Sequence, residues 1–124
     1  MKNPYEAYAN NSIATANKFE LTLMLYEGAV RFCNQSKIAI ENKNYQEANR
    51  LLQRVQDIIR ELQITLVRET EVAENMYSLY EYIYSLLIEA NMRKDIEKLN
   101  EATELIRGFR DMWKDGMKSM KNTN

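Results

Sequence analysis

Asn17-Lys18-Phe19-Glu20-Leu21-Thr22-Leu23-Met24-Leu25-Tyr26-Glu27-Gly28-Ala29-Val30-Arg31-Phe32-Cys33 is the stretch that decides the fold. Leu21, Met24, Leu25, Gly28 and Phe32 recur at i, i+3, i+4, i+7 and i+11, one face of an α-helix. Leu23, Tyr26 and Val30 add apolar groups on the flanking faces. A helix that is apolar over most of its circumference is buried against several neighbours at once. Gly28 costs such a helix up to about 1 kcal/mol relative to Ala. Its use is that a residue without a side chain lets another backbone approach closely. The stretch therefore predicts a central helix, with the rest of the chain packed around it.

Glycine and proline are scarce enough to set the fold class. Pro4 is the only proline, and between Ala29 and Arg107 the chain has neither residue. Strands joined by tight glycine turns do not fit that pattern. An all-α chain punctuated by Asn and Asp does.

Outward from the first helix, Asn17 is an N-cap whose side chain can accept from the Glu20 amide. The apolar face continues through Phe32, Ser36 and Ile40, about 24 residues or roughly 36 Å. Asn42-Lys43-Asn44 supplies the turn. A second helix is predicted over about Tyr45 to Val67. Its stripe is Ala48, Leu51, Leu52, Val55, Ile58, Ile59, Leu62 and Leu66, and Glu47, Arg50, Arg54, Asp57 and Glu61 form a solvated face. Thr70, with Glu71 and Glu74 in the next turn, starts a third helix that runs to about Met92. Its inner stripe is Val72, Met76, Leu79, Ile83, Leu86, Leu87 and Ala90, with Tyr77, Tyr80, Tyr82 and Tyr84 at the sides. After a turn over Asn91–Lys94, Asp95 caps a fourth helix. Leu99, Ala102, Ile106, Phe109 and Trp113 lie on its inner face, and Leu105 and Met112 widen it. Four amphipathic helices with short turns predict an antiparallel up-down four-helix bundle over residues 17–120. Residues 1–16 precede it as a mobile N-terminal arm with no sustained period, and residues 121–124 form a disordered tail.

The same composition excludes several functions. Seventeen basic residues against eighteen acidic ones leave a net charge of −1. No global field then recruits nucleic acid or an anionic membrane. No apolar run approaches the ~20 residues a membrane span needs, and there is no signal peptide, so a cytoplasmic location is expected. Cys33 is the only cysteine. With no histidine the chain lacks the usual general base, the Glu-x-x-His pairs of di-iron bundles and most zinc sites. The residues read as a helical binding module with no cofactor, metal or catalytic residue. A small helical enzyme of the chorismate-mutase kind and a structural oligomerisation bundle stay open on these grounds.

Specific runs narrow this. They are Asn3-Pro4-Tyr5-x-x-Tyr8-x-x-Asn11-Ser12, then Thr15-Ala16, then Leu21-Thr22-Leu23-Met24-Leu25-Tyr26-Glu27-Gly28. Further along are Ile58-Ile59-x-Glu61-Leu62, Leu79-Tyr80-Glu81-Tyr82, Glu89-Ala90-Asn91 and Phe109-Arg110-Asp111-x-Trp113. Together they resemble the flagellar secretion chaperone FliS family over nearly the whole chain. One departure is Lys18, where the family usually has proline at the first helical position. The resemblance implies a bacterial cytosolic export chaperone without catalytic activity. Its client would be flagellin, bound through the C-terminal segment that is disordered before assembly. Binding would prevent premature polymerisation and deliver the client to the flagellar type III export gate. The resemblance also implies that the arm covers part of the client surface. On it, Tyr5, Tyr8, Ile13 and Asn11 are the candidate partner-binding residues, and a homodimer is a possible free form. Purified protein is expected to retain no stoichiometric metal and not to unfold on chelation. Metal analysis finding about one ion per chain, with unfolding on its removal, contradicts that.

Overall fold

The computed structural model describes residues 17–122, and of residues 117–122 the backbone course alone. These residues form four helices, α1 (Lys18–Glu41), α2 (Tyr45–Ile64), α3 (Glu71–Arg93) and α4 (Ile96–Asn122). Each packs on its neighbour in sequence and α4 closes the ring on α1, while neither diagonal pair brings Cα atoms within 8 Å. The directions alternate. Phe19 meets Trp113 and Tyr26 meets Phe109 between α1 and α4. Asn49 pairs with Asn91, and Arg60 with Glu81, between α2 and α3.

Local chemistry sets the helix starts. Asn17 Oδ1 accepts from the Glu20 amide at 2.8 Å, Asn44 Oδ1 from Glu47 at 3.3 Å, and Thr70 Oγ1 from Ala73 at 3.1 Å. Asp95 Oδ1 accepts from both Glu97 and Lys98, at 3.0 and 3.2 Å. Each cap satisfies amides that the helix itself leaves open, typically worth about 1 kcal/mol. Two turns enter the left-handed region without glycine, at Lys43 (φ 58°) and Lys94 (φ 51°). At the second, Lys94 Nζ donates to the Asn91 carbonyl and side chain, which ties the strained residue to the turn before it.

The core is the predicted set of stripes, with four corrections. α2 stops at Ile64 rather than Val67, because Thr65 becomes its C-cap and its hydroxyl donates back to the Glu61 carbonyl at 2.9 Å. A β-branched run with a hydroxyl that competes for backbone carbonyls is a weak helix continuation. α3 instead continues to Arg93, since Asn91 is held by Asn49 and only Lys94 turns left-handed. Val72 and Met112, expected inside, are 68% and 55% exposed, Val72 in the first turn of α3 and Met112 on the side of α4 that exposed Gly108 and Asp111 share. Tyr80, expected at the side of its helix, is instead buried, and it meets Tyr26, which is buried as the all-round apolar character of α1 requires.

Leu25 and Ile59 sit in one cluster at 2% and 0% exposure. Leu25→Ala or Ile59→Ala should each cost about 2–5 kcal/mol in denaturant unfolding, with far-UV circular dichroism still mostly helical. A Leu25→Ala chain as stable as the parent is the result this core does not allow.

Candidate functional site

The end of the bundle where α1 begins carries an apolar concavity. Four segments meet there. Lys18, Phe19 and Thr22 come from α1, and Leu62, Thr65, Leu66 and Val67 from the end of α2 and the connection after it. Met76 and Tyr80 come from α3 and Trp113 from α4. They enclose a cleft of ≈ 360 Å³ whose walls are mainly apolar. It exists because α2 ends early. The six residues between Ile64 and Glu71 lie outside the helices, and Leu66 and Val67 line the opening instead of extending the bundle. Ile64 at the end of α2 and Val67 on this connection keep 76% and 62% of their surface exposed, as bulky apolar groups in water.

One wall is an aromatic latch. The Trp113 indole N–H donates to the Phe19 carbonyl at 3.0 Å, and the two rings stack with centroids 4.6 Å apart. The latch joins the first turn of α1 to the C-terminal half of α4. Behind it, the Tyr26 and Tyr80 hydroxyls share a hydrogen bond. Tyr80 stacks on Phe109 at 4.9 Å, and Phe109 lies parallel to Tyr26 at 5.7 Å. Burial pushes both phenols above the ordinary tyrosine range. For Tyr26, the neighbouring Tyr80 adds to the effect.

The tyrosines of α3 are thus accounted for by packing. Tyr80 is buried, and Tyr77 and Tyr84 lie under the guanidinium groups of Arg68 and Arg60, each 3.6 Å from the ring centre. Tyr82 donates to the Glu101 carboxylate. Cys33 is 1% exposed, and burial pushes its thiol up to about 11, so it is a small hydrophobe and not a nucleophile. Among the described residues no group of His, Cys, Asp or Glu is placed to hold a metal ion.

The residues singled out from the sequence, Tyr5, Tyr8, Asn11 and Ile13, lie outside the described residues. Lys18 and Phe19, the first two residues of α1, line the cleft. Sequence reasoning did not assign Phe19, Val67 or Thr65 to a site. The available signals were a bulky aromatic at the first turn of α1 and a tryptophan whose N–H needs an acceptor near the far end of α4.

A family profile described as Flagellar protein FliS matches residues 1–120. Among curated proteins, the chain is similar to the flagellar secretion chaperone FliS of Bacillus subtilis. They are 41% identical over 119 residues, which is 96% of this chain and 90% of that one. With the flagellar secretion chaperone FliS of Campylobacter jejuni it is 33% identical, over 90% of this chain and 88% of that one. Among solved structures, a crystal structure of a bacterial flagellar chaperone has the same fold. Its TM-score is 0.76 at 16% identity, over 93% of this chain and 95% of that one.

The buried phenol pair makes a signed prediction. A folded-state pKa raised above the unfolded value of about 10 contributes stability that is complete below pH ~10 and lost as pH rises beyond it. Thermal stability should therefore fall above pH ~10, and less so in the Tyr26→Phe/Tyr80→Phe double variant. At neutral pH, Tyr80→Phe alone should cost about 1–3 kcal/mol by stranding the Tyr26 hydroxyl, and the double variant less than that. Melting curves across pH check both statements.

Proposed function

The chain belongs to the flagellar protein FliS family, and from that premise we propose that it is an export chaperone whose client is flagellin. It binds the C-terminal segment of newly made flagellin, keeps that segment from polymerising early, and presents it to the flagellar export gate. Its place of action is the bacterial cytosol, where the client is made. The observation that carries this reading is the open apolar cleft at the α1 end of the bundle, walled by Phe19, Leu62, Leu66, Val67, Met76 and Trp113. A disordered, helix-prone segment gains affinity by laying apolar side chains into such a groove, offset by the cost of ordering it. Among the described residues no helix is long and apolar enough to cross a membrane.

On this reading residues 1–16 are a cover that the client displaces. What supports this is that Lys18 and Phe19, at the start of α1, line the cleft. Tyr5, Tyr8 and Ile13 are the bulky groups that would seat there, with Asn11 as a polar contact. Each buried side chain holds the cover by about 1–3 kcal/mol, at about 25 cal/mol per Å² of apolar area. Backbone ordering opposes much of that, which leaves the closed form only marginally stable and open to exchange.

Titration with a C-terminal fragment of flagellin from the same organism tests the proposal directly. The full chain should bind it, and a chain lacking residues 1–14 should bind as tightly or more tightly while exposing apolar surface to a reporter dye. If Tyr8 also touches the client or the gate, Tyr8→Ala should weaken that one interaction and leave helix content unchanged. No binding by either form overturns the client assignment. Unaltered dye binding, client affinity and gate docking in both variants would reduce the arm to a terminus.

A further inference from the structure

The connection between α2 and α3 makes one side of the cleft, and little of its backbone is tied down. Its first residues are bonded back to α2, the Thr65 amide to the Glu61 carbonyl at 3.1 Å and the Leu66 amide to Gln63 at 3.4 Å. Leu66 also packs, half-buried, against the core, and at the far end Thr70 caps α3. Between these anchors Val67, Arg68 and Glu69 are exposed, and their backbone groups make no hydrogen bond to another described residue. Val67 keeps most of its surface in water, so burial does little to hold it in the wall.

A side chain holds this segment instead. Arg68 Nε and Nη2 donate to the two carboxylate oxygens of Glu74, both at 2.9 Å, and the guanidinium lies 3.6 Å from the centre of the Tyr77 ring. A forked pair fixes direction as well as distance, and stacking on the ring fixes the plane. α3 repeats the device one heptad on, where Glu74-x-x-Tyr77 becomes Glu81-x-x-Tyr84. The second pair takes Arg60 of α2, with Nη1 donating to Glu81 at 2.6 Å and the guanidinium 3.6 Å from the Tyr84 ring. Arg60 belongs to a helix packed on its own account, and buried Gln63 joins it on Glu81 at 3.0 Å. Arg68 has no such support, so here the side chain decides where the backbone runs.

We propose that Arg68 is a positioning residue for the cleft: clamped between Glu74 and the Tyr77 ring, it keeps the adjacent Val67 in the cleft wall. The clamp and the wall belong to the free chain, and the inference rests on the client reading above only for its effect on binding. Glu74 also stands in the first turn of α3, where a carboxylate favours the helix dipole. Glu71 shares that turn and pairs with no arginine among the described residues, which supplies the control.

Trp113 is the only tryptophan, and Cys33 is buried. A thiol-reactive fluorophore that tryptophan quenches on contact, attached through Val67→Cys, therefore reads the width of the cleft. Glu74→Gln combined with Tyr77→Leu should remove about half of the quenching, and so should Arg68→Lys, because an ammonium neither forks nor stacks as a guanidinium does. Glu71→Gln should leave it unchanged. With Val67 in place, the Glu74→Gln/Tyr77→Leu chain should bind the flagellin fragment about threefold to tenfold more weakly, because its wall must be ordered on binding. Its melting temperature should stay within about 2 °C of wild type, as the clamp is a surface contact. Quenching unchanged in the double variant overturns the clamp, and so does an equal loss in Glu71→Gln. Quenching lost with affinity unchanged overturns its part in binding. If the wild type binds no fragment, the client reading fails by itself, and the quenching still decides the clamp.

Discussion

A hydrogen bond between two phenols crosses the middle of the bundle. Tyr26 of α1 and Tyr80 of α3 belong to diagonal helices that have no backbone contact of their own. Backbone packing in the bundle runs only between neighbours around the ring. The bond is a side-chain link across a diagonal where no backbone contact exists. It also sets the aromatic order around it, since Phe109 stacks on Tyr80 and lies parallel to Tyr26, and Trp113 tilts against Tyr26 at 5.8 Å. Two polar groups in so apolar a centre are tolerated because each satisfies the other.

The cleft depends on that arrangement. Tyr80 contributes to its lining, and Trp113, placed by the same cluster, closes one wall by bonding to the first turn of α1. The other wall is a helix that ends one turn early. The cleft is thus walled by an aromatic pair on one side and by an apolar connection outside regular structure on the other. Arg60 and Arg68 reach from α2 and the connection after it to Tyr84 and Tyr77 of α3, with Glu81 and Glu74 as their carboxylate partners.

Much of the architecture was legible in the sequence because its causes are local. Helix starts at Asn17, Asn44, Thr70 and Asp95 depend on a side-chain oxygen a few residues from the amides it caps. The inner stripes depend on a 3.6-residue period, and the bundle on four such stripes joined by turns too short for anything but antiparallel neighbours. The family resemblance rested on the runs around Tyr5, Tyr8 and Leu21–Gly28, which are continuous stretches.

Tertiary structure decided what depends on the opposite helix. Period alone left Tyr80 at the edge of its stripe, and only the facing helix, by supplying its phenol with Tyr26 as partner, drew it inside. Val72 and Met112 fit their stripes and still lie in water, because a stripe is buried only where a neighbour reaches it. The cleft joins Phe19 to Trp113 and Leu66 to Met76, and no single stretch of sequence shows those meetings.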